Sequence, residues 1–434
     1  MAGVRPPAAG LRATTLALVT LVAATACDRR PERAAGEGPY ADRVADAVPR
    51  IEKSTGLKFK TPPKVETRSR DEVRQFLERT FAESQGAKDL LAKSAVYKRL
   101  GLIPDTLDVR KLYLDLLTEQ IIGFYDPKTK VLYVVDGAPP EQAGFIIGHE
   151  LVHALQDQYF DLDSLQRVQG DDDRVMAAQA VMEGQAVYEQ IASAIGEGNV
   201  AERLPGGWDR IRQEIRERQG SMPVFAGAPT LVQETLIFPY LSGAEFMRRF
   251  KSRRPGEAPY ADMPRSTEQI LHEAAYFGPR RDAPLRVALP PLTGAKTVYE
   301  NGLGEFETRL LLFEHLRDQN GAIRGAAGWG GDRFALVDTP RGQGLLWATA
   351  WDSPFEAAEF TDLLGQAVER RYGVSRTSAT PGGGEGAGAR SFEAAGRRVS
   401  VTAGEANGRP VVVLSDLPAG AAVGPLDIGR VRVE

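Results

Sequence analysis

The sequence contains very little cysteine and histidine. Of its 434 residues, one is cysteine and four are histidine. A single cysteine cannot form a disulfide bond within the chain, so the fold has to be stabilised by its hydrophobic core. The formal net charge is only −4, so the chain has no overall attraction to phosphate backbones, and nucleic acid is not expected as a partner. Hydrophobic residues make up 42% of the chain, which is enough for a sizeable core in two or three domains.

An apolar run near the start is too short to cross a bilayer as a permanent helix. It covers residues 14–26, follows Arg5 and Arg12, and ends directly before Cys27. This arrangement is typical of an export signal and resembles a bacterial lipoprotein signal, which is cut before the cysteine that is then lipidated. Ala24 stands where that pattern usually has leucine, so ordinary signal-peptidase cleavage stays open. We therefore expect an exported protein of the cell envelope, anchored in a membrane by a lipid on Cys27.

Composition and periodicity divide the chain into four parts. Residues 1–26 form the signal, and residues 27–39, rich in charge, proline and glycine, form a flexible linker. Residues 40–292 are predicted to form a domain of helices with a small β-sheet. Residues 293–434 are predicted to form a smaller α/β region with a glycine-rich insertion at 380–389. The fold class expected is therefore α+β.

A β-hairpin is predicted at residues 121–135, IIGFYDPKTKVLYVV. Two β-rich runs flank the turn-forming segment DPKT there. The helix that follows contains the stretch GFIIGHELVHALQDQYF, residues 144–160. A second long helix is predicted from Arg174 to Ile195. These three elements carry the main functional motifs.

The first of these helices carries two of the four histidines, four positions apart. Positions i and i+4 share a face of a helix, so His149 and His153 can bind one Zn²⁺ together. Glu150 points about a quarter turn away, where it can take a proton from water without binding the metal. The alternative is a buried helix with two hydrogen-bonded histidines and no metal.

A catalytic zinc site needs a third protein ligand and an open position for water. Among the histidines only His272 and His315 remain, and carboxylates are the better candidates. Glu183 stands in the apolar helical stretch VMEGQA, where a charged residue needs a partner such as a metal ion. Gly184 beside it would let two helices approach closely. The alternative is that Glu183 lies at the solvent edge of its helix.

HELVH followed by a glutamate on a second helix resembles the gluzincin class of zinc metallopeptidases. The phrases GFYDPKTKVLY, HELVHALQDQYF, MEGQA, STEQILH and GWGGDR are similar to those of a little-characterised group of bacterial and archaeal metallopeptidases, over residues 121–334. The resemblance implies a zincin-like catalytic domain in which His149, His153 and Glu183 bind Zn²⁺ and Glu150 is the general base. It also implies that an edge strand of the hairpin pairs with an extended peptide substrate; an ordinary sheet strand is the alternative.

The sequence departs from the gluzincin pattern at one position near the metal. Thermolysin-like enzymes have an aspartate four residues after the ligand glutamate, where this chain has Val187. The residue that orients the histidines is therefore unassigned, with Asp157 as a candidate. Peptide hydrolysis also needs a donor for the oxyanion. His272, in STEQILH, is the leading candidate, and Tyr188 and Tyr276 are alternatives.

These features predict an exported, lipid-anchored zinc metallopeptidase that acts on peptide or protein substrates. Zinc would polarise the scissile carbonyl and lower the pKa of its water, and Glu150 would accept the proton and pass it to the leaving amine. The rival hypothesis is a cell-surface binding or scaffold lipoprotein whose zinc is structural or absent. Zinc-dependent hydrolysis of a non-peptide amide is a third hypothesis. An open, water-filled zinc site in a cleft favours an enzyme, and a closed buried site favours a scaffold.

Overall fold

The computed structural model of the chain describes residues 40–83, 85–165, 168–195, 213, 216–217, 220–374, 380–381 and 390–434. The predicted signal, Cys27 and the linker lie outside these residues, as does most of the predicted glycine-rich insertion. Within the part that is described, no helix combines the length and the apolar character needed to cross a membrane.

The first part of the chain is mostly helical, as its periodicity predicts. Its elements, in chain order, are α1 (Ala41–Thr55), β1 (Lys64–Arg68), α2 (Arg70–Glu83), α3 (Gln85–Leu100), α4 (Val109–Gln120), β2 (Gly123–Asp126), β3 (Val131–Val135), α5 (Pro140–Tyr159), α6 (Leu162–Leu165), α7 (Asp172–Ile195), α8 (Pro223–Ala226), α9 (Thr230–Arg253), α10 (Thr267–Leu271) and α11 (Glu273–Phe277). The three strands form a small sheet in the order β1-β3-β2, with β1 parallel and β2 antiparallel to β3.

The predicted hairpin is confirmed, and its turn is held by one carboxylate. Strands β2 and β3 pair directly on either side of the turn. Asp126 accepts hydrogen bonds of 3.0 Å from the Lys128 N–H and from the Thr129 hydroxyl. Since β3 occupies the centre of the sheet, β2 is an edge strand, and it packs against α5. The hairpin therefore lies directly beside the helix that carries the two histidines.

Helix α7 crosses α9 at very close range. A Cβ atom added to Gly184 would overlap the backbone of Gly243, and one added to Gly243 would overlap the Ala180 carbonyl. Only glycine fits at both positions, which confirms the expectation for Gly184. Because α7 also packs on α5, this crossing sets the position of Glu183 relative to the two histidines on α5.

The C-terminal part contains the larger sheet of the molecule. Its elements, in chain order, are β4 (Val287–Ala288), β5 (Lys296–Asn301), α12 (Gly304–Leu316), α13 (Gln319–Ala326), β6 (Trp329–Thr339), β7 (Gly342–Trp351), α14 (Pro354–Tyr372), β8 (Thr380–Pro381), β9 (Arg390–Ala394), β10 (Arg397–Ala406), β11 (Arg409–Pro418) and β12 (Arg432–Val433). Seven strands pair in the order β5-β6-β7-β11-β10-β9-β8, all antiparallel, and β4 pairs with β12. The sequence predicts a small α/β module here; the region does contain helices and strands, but most of its strands form one seven-stranded antiparallel sheet.

One of the hydrophobic clusters contains buried residues from both parts of the chain. The rings of Phe238 on α9 and Phe306 on α12 lie 4.0 Å apart between centroids. A buried ion pair also joins the parts, because Lys93 Nζ on α3 lies 3.0 Å from Glu307 Oε1 on α12. The predicted boundary after residue 292 falls in the loop between β4 and β5. The hydrophobic cluster that contains Phe238 and Phe306 includes residues on both sides of this boundary.

Candidate metal centre

Helix α5 places both histidines of the HELVH motif in the interior. His149 and His153 are each only 1% exposed. Their rings meet edge to face, with the two Nε2 atoms 3.2 Å apart. The apolar neighbours Ile147, Leu151 and Leu155 on the same helix belong to the surrounding core. The i, i+4 spacing thus brings the imidazoles together as expected.

Helix α7 brings Glu183 to the same point. Its Oε2 lies 3.2 Å from His149 Nε2 and 3.4 Å from His153 Nε2. The carboxylate is buried, so it does not lie at a solvent edge. Ligand atoms bonded to Zn²⁺ at about 2.0–2.2 Å in a tetrahedron lie about 3.3–3.6 Å from one another. The three atoms are therefore spaced closely enough to bind one zinc ion, and the donor set of two imidazoles and a carboxylate is one that zinc prefers.

The charges at this point favour a bound cation. Burial opposes a charge on His153, but the adjacent Glu183 carboxylate raises the pKa of that imidazole to about 9. Burial also opposes the charge on Glu183, but the charge of His153 and hydrogen bonds from both histidines lower its pKa to about 2. Burial lowers the pKa of His149. Glu183 is thus held as a carboxylate that needs a positive partner, a proton on His153 or a metal ion.

Glu150 lies beside the three ligand atoms and is oriented by the hairpin. Its side chain is fully buried, and its Oε2 accepts a 2.8 Å hydrogen bond from the backbone N–H of Tyr125 on β2. Oε1 is buried and has no hydrogen-bond partner in the described part of the chain. Burial, aided by the charge of Glu183, raises the pKa of Glu150 to about 8. Such a carboxyl, with one oxygen left over, can exchange a proton at a pH near its raised pKa.

Gln156 orients the second histidine. His153 Nδ1 lies 2.8 Å from Gln156 Oε1, and Gln156 Nε2 donates in turn to the Met182 carbonyl at 2.9 Å and to Gln185 Oε1 at 3.1 Å. Because the amide oxygen can only accept, Nδ1 of His153 carries the proton, and Nε2 is left to bind a metal.

Asp157 does not have the role expected for it. Its Oδ2 accepts hydrogen bonds from the Tyr125 hydroxyl at 2.7 Å and from Lys130 Nζ at 2.6 Å. It therefore fastens the hairpin to α5, one residue away from the position that orients His153. The helix turns about 100° between consecutive residues, so Asp157 and Gln156 face different neighbours.

Tyr240 on α9 is a further residue of the site, and no motif in the surrounding sequence indicates it. Its ring stacks on that of His149, with 6.2 Å between centroids and 26° between planes. Its side chain interacts with Glu183. Burial, followed by the charge of Glu183, raises the pKa of Tyr240 well above its usual value, so the phenol keeps its proton and remains a donor.

His272 does not join this cluster. It lies directly after α10, where its Nε2 is 2.9 Å from Glu305 Oε1 and 2.9 Å from Arg309 Nη2. None of its hydrogen bonds in the described residues reaches the HELVH helix or Glu183. Of the alternatives, Tyr276 donates its hydroxyl to the Asp262 carbonyl. These contacts place His272 in a separate polar cluster on the surface of α12, so its assignment as oxyanion donor is not supported by its neighbours.

The phrase GWGGDR has a structural setting. Asp332 accepts hydrogen bonds from the backbone N–H groups of Leu303 at 2.8 Å and Gly304 at 2.9 Å. The indole N–H groups of Trp329 and Trp347 donate to the same carboxylate at 3.2 and 2.8 Å. Asp332 therefore ties β6 and β7 to the start of α12.

A family model and a solved structure each match part of the chain. Residues 292–412 match the family described as "Domain of unknown function (DUF8575)". No curated protein matches the chain. Among solved structures, the chain is similar to "Crystal structure of a putative hydrolase with a novel fold from Chloroflexus aurantiacus", with 20% sequence identity and a TM-score of 0.31, over 54% of this chain and 86% of that one. The secondary structure of the chain itself makes the molecule a mixed α+β protein, and the buried cluster of candidate metal ligands is its main functional feature.

Proposed function

We propose that the protein is a zinc-dependent hydrolase that cleaves peptide bonds. The observation that carries this proposal is the mutual spacing of three ligand atoms, His149 Nε2, His153 Nε2 and Glu183 Oε2, at 3.2–3.4 Å. A zinc ion held by these atoms acts as a Lewis acid on a carbonyl and lowers the pKa of an attacking water. The remaining steps depend on side chains of the chain itself.

Glu150 is proposed as the general base. Its Oε1 accepts the proton of the attacking water, and the carboxyl then gives that proton to the leaving amine. The Tyr125 N–H holds Oε2, so the orientation of the carboxylate is set before substrate binds. A carboxyl pKa near neutrality allows the group both to take and to return a proton.

Tyr240 is proposed as the donor to the oxyanion. Its phenol remains protonated and lies against Glu183 and His149, next to the point where the carbonyl oxygen has to be bound. A preorganised O–H donor in a buried site stabilises a developing negative charge strongly. This role replaces the one first expected for His272.

Strand β2 is proposed as the binding edge for substrate. It is the edge strand of its sheet and is joined to the general base through Tyr125. An extended peptide added to this edge would be held by main-chain hydrogen bonds, which favours a peptide over other amides as the substrate class. Export and a lipid anchor on Cys27 remain proposals that follow from the sequence.

The proposal is tested by comparing the wild type with Glu150→Gln. The substitution keeps the size of the side chain and the acceptor for the Tyr125 N–H, but removes the base. We expect equal zinc content in both proteins, and hydrolysis of a diverse peptide library that falls by about 10²–10⁴-fold in the variant. Mass spectrometry of the metal and of the peptide products measures both quantities.

Two results would reject the enzyme. Hydrolysis that is unchanged in Glu150→Gln would show that another group is the base. The three ligands and Glu150 are buried, which favours the rival hypothesis of a binding or scaffold protein with a structural metal. Stoichiometric zinc in both proteins, with no hydrolysis by either, would support that rival.

A further inference from the structure

A second group of acidic side chains lies where the first part of the chain meets the C-terminal part. Glu268 on α10, Asp282 in the loop after α11 and Asp352 directly after β7 each place a carboxylate oxygen within 4.8 Å of the other two. Glu268 and Asp282 lie on neighbouring segments of the chain, and Asp352 comes from the large sheet 70 positions further on. Their convergence is therefore a product of the tertiary fold.

Glu268 is buried without a partner for its charge. It is 4% exposed, and its Oε2 has no hydrogen-bond partner in the described part of the chain. The charges that act on it most strongly belong to Asp282, Glu305 and Asp352, which are all carboxylates. An unpaired buried carboxylate among others is strongly unfavourable, so at this point the fold favours either a proton on Glu268 or a bound cation.

The nearby cationic side chains do not supply that charge. His272 and Arg309 both contact Oε1 of Glu305, and among the residues that the structure describes none hydrogen-bonds to the buried Oε2 of Glu305. Arg409 acts on Asp352, but it is an exposed residue and is not among the charges that act most strongly on Glu268. The strongest charges that act on Glu268 are therefore all negative.

We propose that Glu268, Asp282 and Asp352 bind a hard divalent cation, Ca²⁺, at this junction. The ligand atoms are all oxygens, which disfavours zinc and favours Ca²⁺ or Mg²⁺. Two oxygens bound to one Ca²⁺ at about 2.4 Å can be at most about 4.8 Å apart, which the observed spacing satisfies. Asp352 is exposed and Asp282 is half-buried, so water reaches the site and completes the coordination. Ca²⁺ accepts such irregular coordination, whereas Mg²⁺ requires a near-ideal octahedron.

A cation at this point would connect three elements. It would join α10 to the loop after α11 and to the end of β7 in the large sheet. Thr267, next to Glu268, donates its backbone N–H to Asp173 Oδ2 at 3.1 Å, at the start of α7. Helix α7 carries Glu183 further along, so the cation would brace the helix that completes the zinc centre. The two metal sites use different ligands, and neither proposal depends on the other.

Calcium titration of the full mature chain, with its zinc content measured before and after, tests the proposal. We expect one Ca²⁺ per chain by isothermal titration calorimetry, with a dissociation constant of about 10⁻⁵–10⁻³ M. At about a hundred times that concentration, the midpoint of thermal unfolding should rise by about 3 °C. Mg²⁺ should bind more weakly than Ca²⁺; tighter binding of Mg²⁺ would overturn the assignment to Ca²⁺.

Two variants locate the site. Glu268→Gln and Asp352→Asn should each raise the dissociation constant for Ca²⁺ at least tenfold. In calcium-free buffer their unfolding midpoints should equal or exceed that of the wild type, because each removes a repelling charge. Lost binding together with retained stability separates the loss of a ligand from misfolding.

Glu393→Gln is the matched control, because this carboxylate is exposed on β9 and pairs with Arg398 at the end of the large sheet opposite Asp352. It should bind Ca²⁺ as the wild type does. A wild type that shows no response to Ca²⁺, as expected if Glu268 is simply protonated, would overturn the proposal. So would variants at residues 268 and 352 that bind Ca²⁺ with unchanged affinity.

Discussion

The backbone N–H of Tyr125 donates a 2.8 Å hydrogen bond to Oε2 of Glu150. This bond joins the edge strand β2 to the helix of the HELVH motif. It leaves Oε1 as the oxygen of Glu150 that has no partner among the described residues. The strand proposed to bind the substrate backbone therefore also sets the direction of the proposed general base, so that substrate and base are positioned by one element.

Zinc affinity should depend on Gln156. Gln156→Leu removes the acceptor for Nδ1 of His153, so the ring loses its fixed orientation and tautomer. We expect zinc to bind about 10–100-fold more weakly, measured by competition with a chromophoric chelator.

Asp157→Asn is the control for this prediction. Asp157 accepts hydrogen bonds from Tyr125 and Lys130 and not from a histidine. The zinc affinity of the Asp157→Asn variant should therefore stay within about twofold of that of the wild type. The free energy of unfolding should fall by about 1 kcal/mol, because the hairpin loses a charged acceptor. Equal loss of zinc affinity in both variants would mean that Asp157 orients the metal ligands after all.

Tyr240 should matter for turnover and not for metal content. In Tyr240→Phe the ring that stacks on His149 is kept, but the donor is lost. We expect kcat for peptide hydrolysis to fall by about 10²-fold, with KM and bound zinc little changed. His272→Gln should leave kcat near that of the wild type. A large fall in kcat in His272→Gln, with an unchanged kcat in Tyr240→Phe, would instead identify His272 as the oxyanion donor.

The crossing of α7 and α9 should not tolerate a methyl group. In Gly184→Ala the new Cβ would overlap the backbone of Gly243, so the helices have to separate. We expect the free energy of unfolding to fall by about 2–3 kcal/mol or more in denaturant titrations, with weaker zinc binding because Glu183 moves.

Gly148→Ala on α5 gives the matched comparison. A Cβ there meets nothing within 4 Å, and alanine favours a helix over glycine by about 1 kcal/mol. The variant should be as stable as the wild type or slightly more stable. A destabilisation as large as that of Gly184→Ala would show that helix packing is not the cause.

The buried ion pair between the two parts should be costly to break. Lys93 and Glu307 are 9% and 5% exposed, and Tyr97 also donates to Glu307. Lys93 Nζ also lies 2.8 Å from Asp172 Oδ2, so Lys93→Met leaves two carboxylates without their cation and should lower the free energy of unfolding by about 3–5 kcal/mol. Adding Glu307→Gln, which keeps an acceptor for Tyr97, should recover part of that loss, because Asp172 still lacks its cation but is more exposed than Glu307. No recovery in this double-mutant cycle would mean that packing around Lys93, and not its charge, is what matters.

The local parts of the site could be predicted from the sequence. The spacing of His149 and His153 is a property of a single helix, and a glutamate within an apolar stretch indicated Glu183. The turn signal DPKT located the hairpin, and Gly184 indicated a close helix crossing that the structure confirms. Each of these features depends on neighbours within a few residues.

Other parts depend on contacts between distant segments. Tyr240 reaches the site only because α9 crosses α7, and nothing in its own surroundings in the sequence marks it. The acidic cluster at Glu268 forms from three separate segments. The contact between Gln156 and His153 could be predicted, because residues three positions apart lie on the same face of a helix. The neighbouring Asp157 was the candidate instead, because a carboxylate is a common partner of a metal-binding histidine. The order of the large sheet likewise follows from tertiary pairing and not from strand patterns.

The most direct test of the zinc centre is a crystal structure of the mature chain, with anomalous diffraction recorded on both sides of the zinc absorption edge. We predict one anomalous peak bonded to His149 Nε2 and His153 Nε2 at about 2.0–2.1 Å and to the Glu183 carboxylate at about 2.0–2.2 Å. A crystal grown with zinc that shows no peak at this point, or a peak bound by other residues, would contradict the zinc centre and the hydrolase built on it.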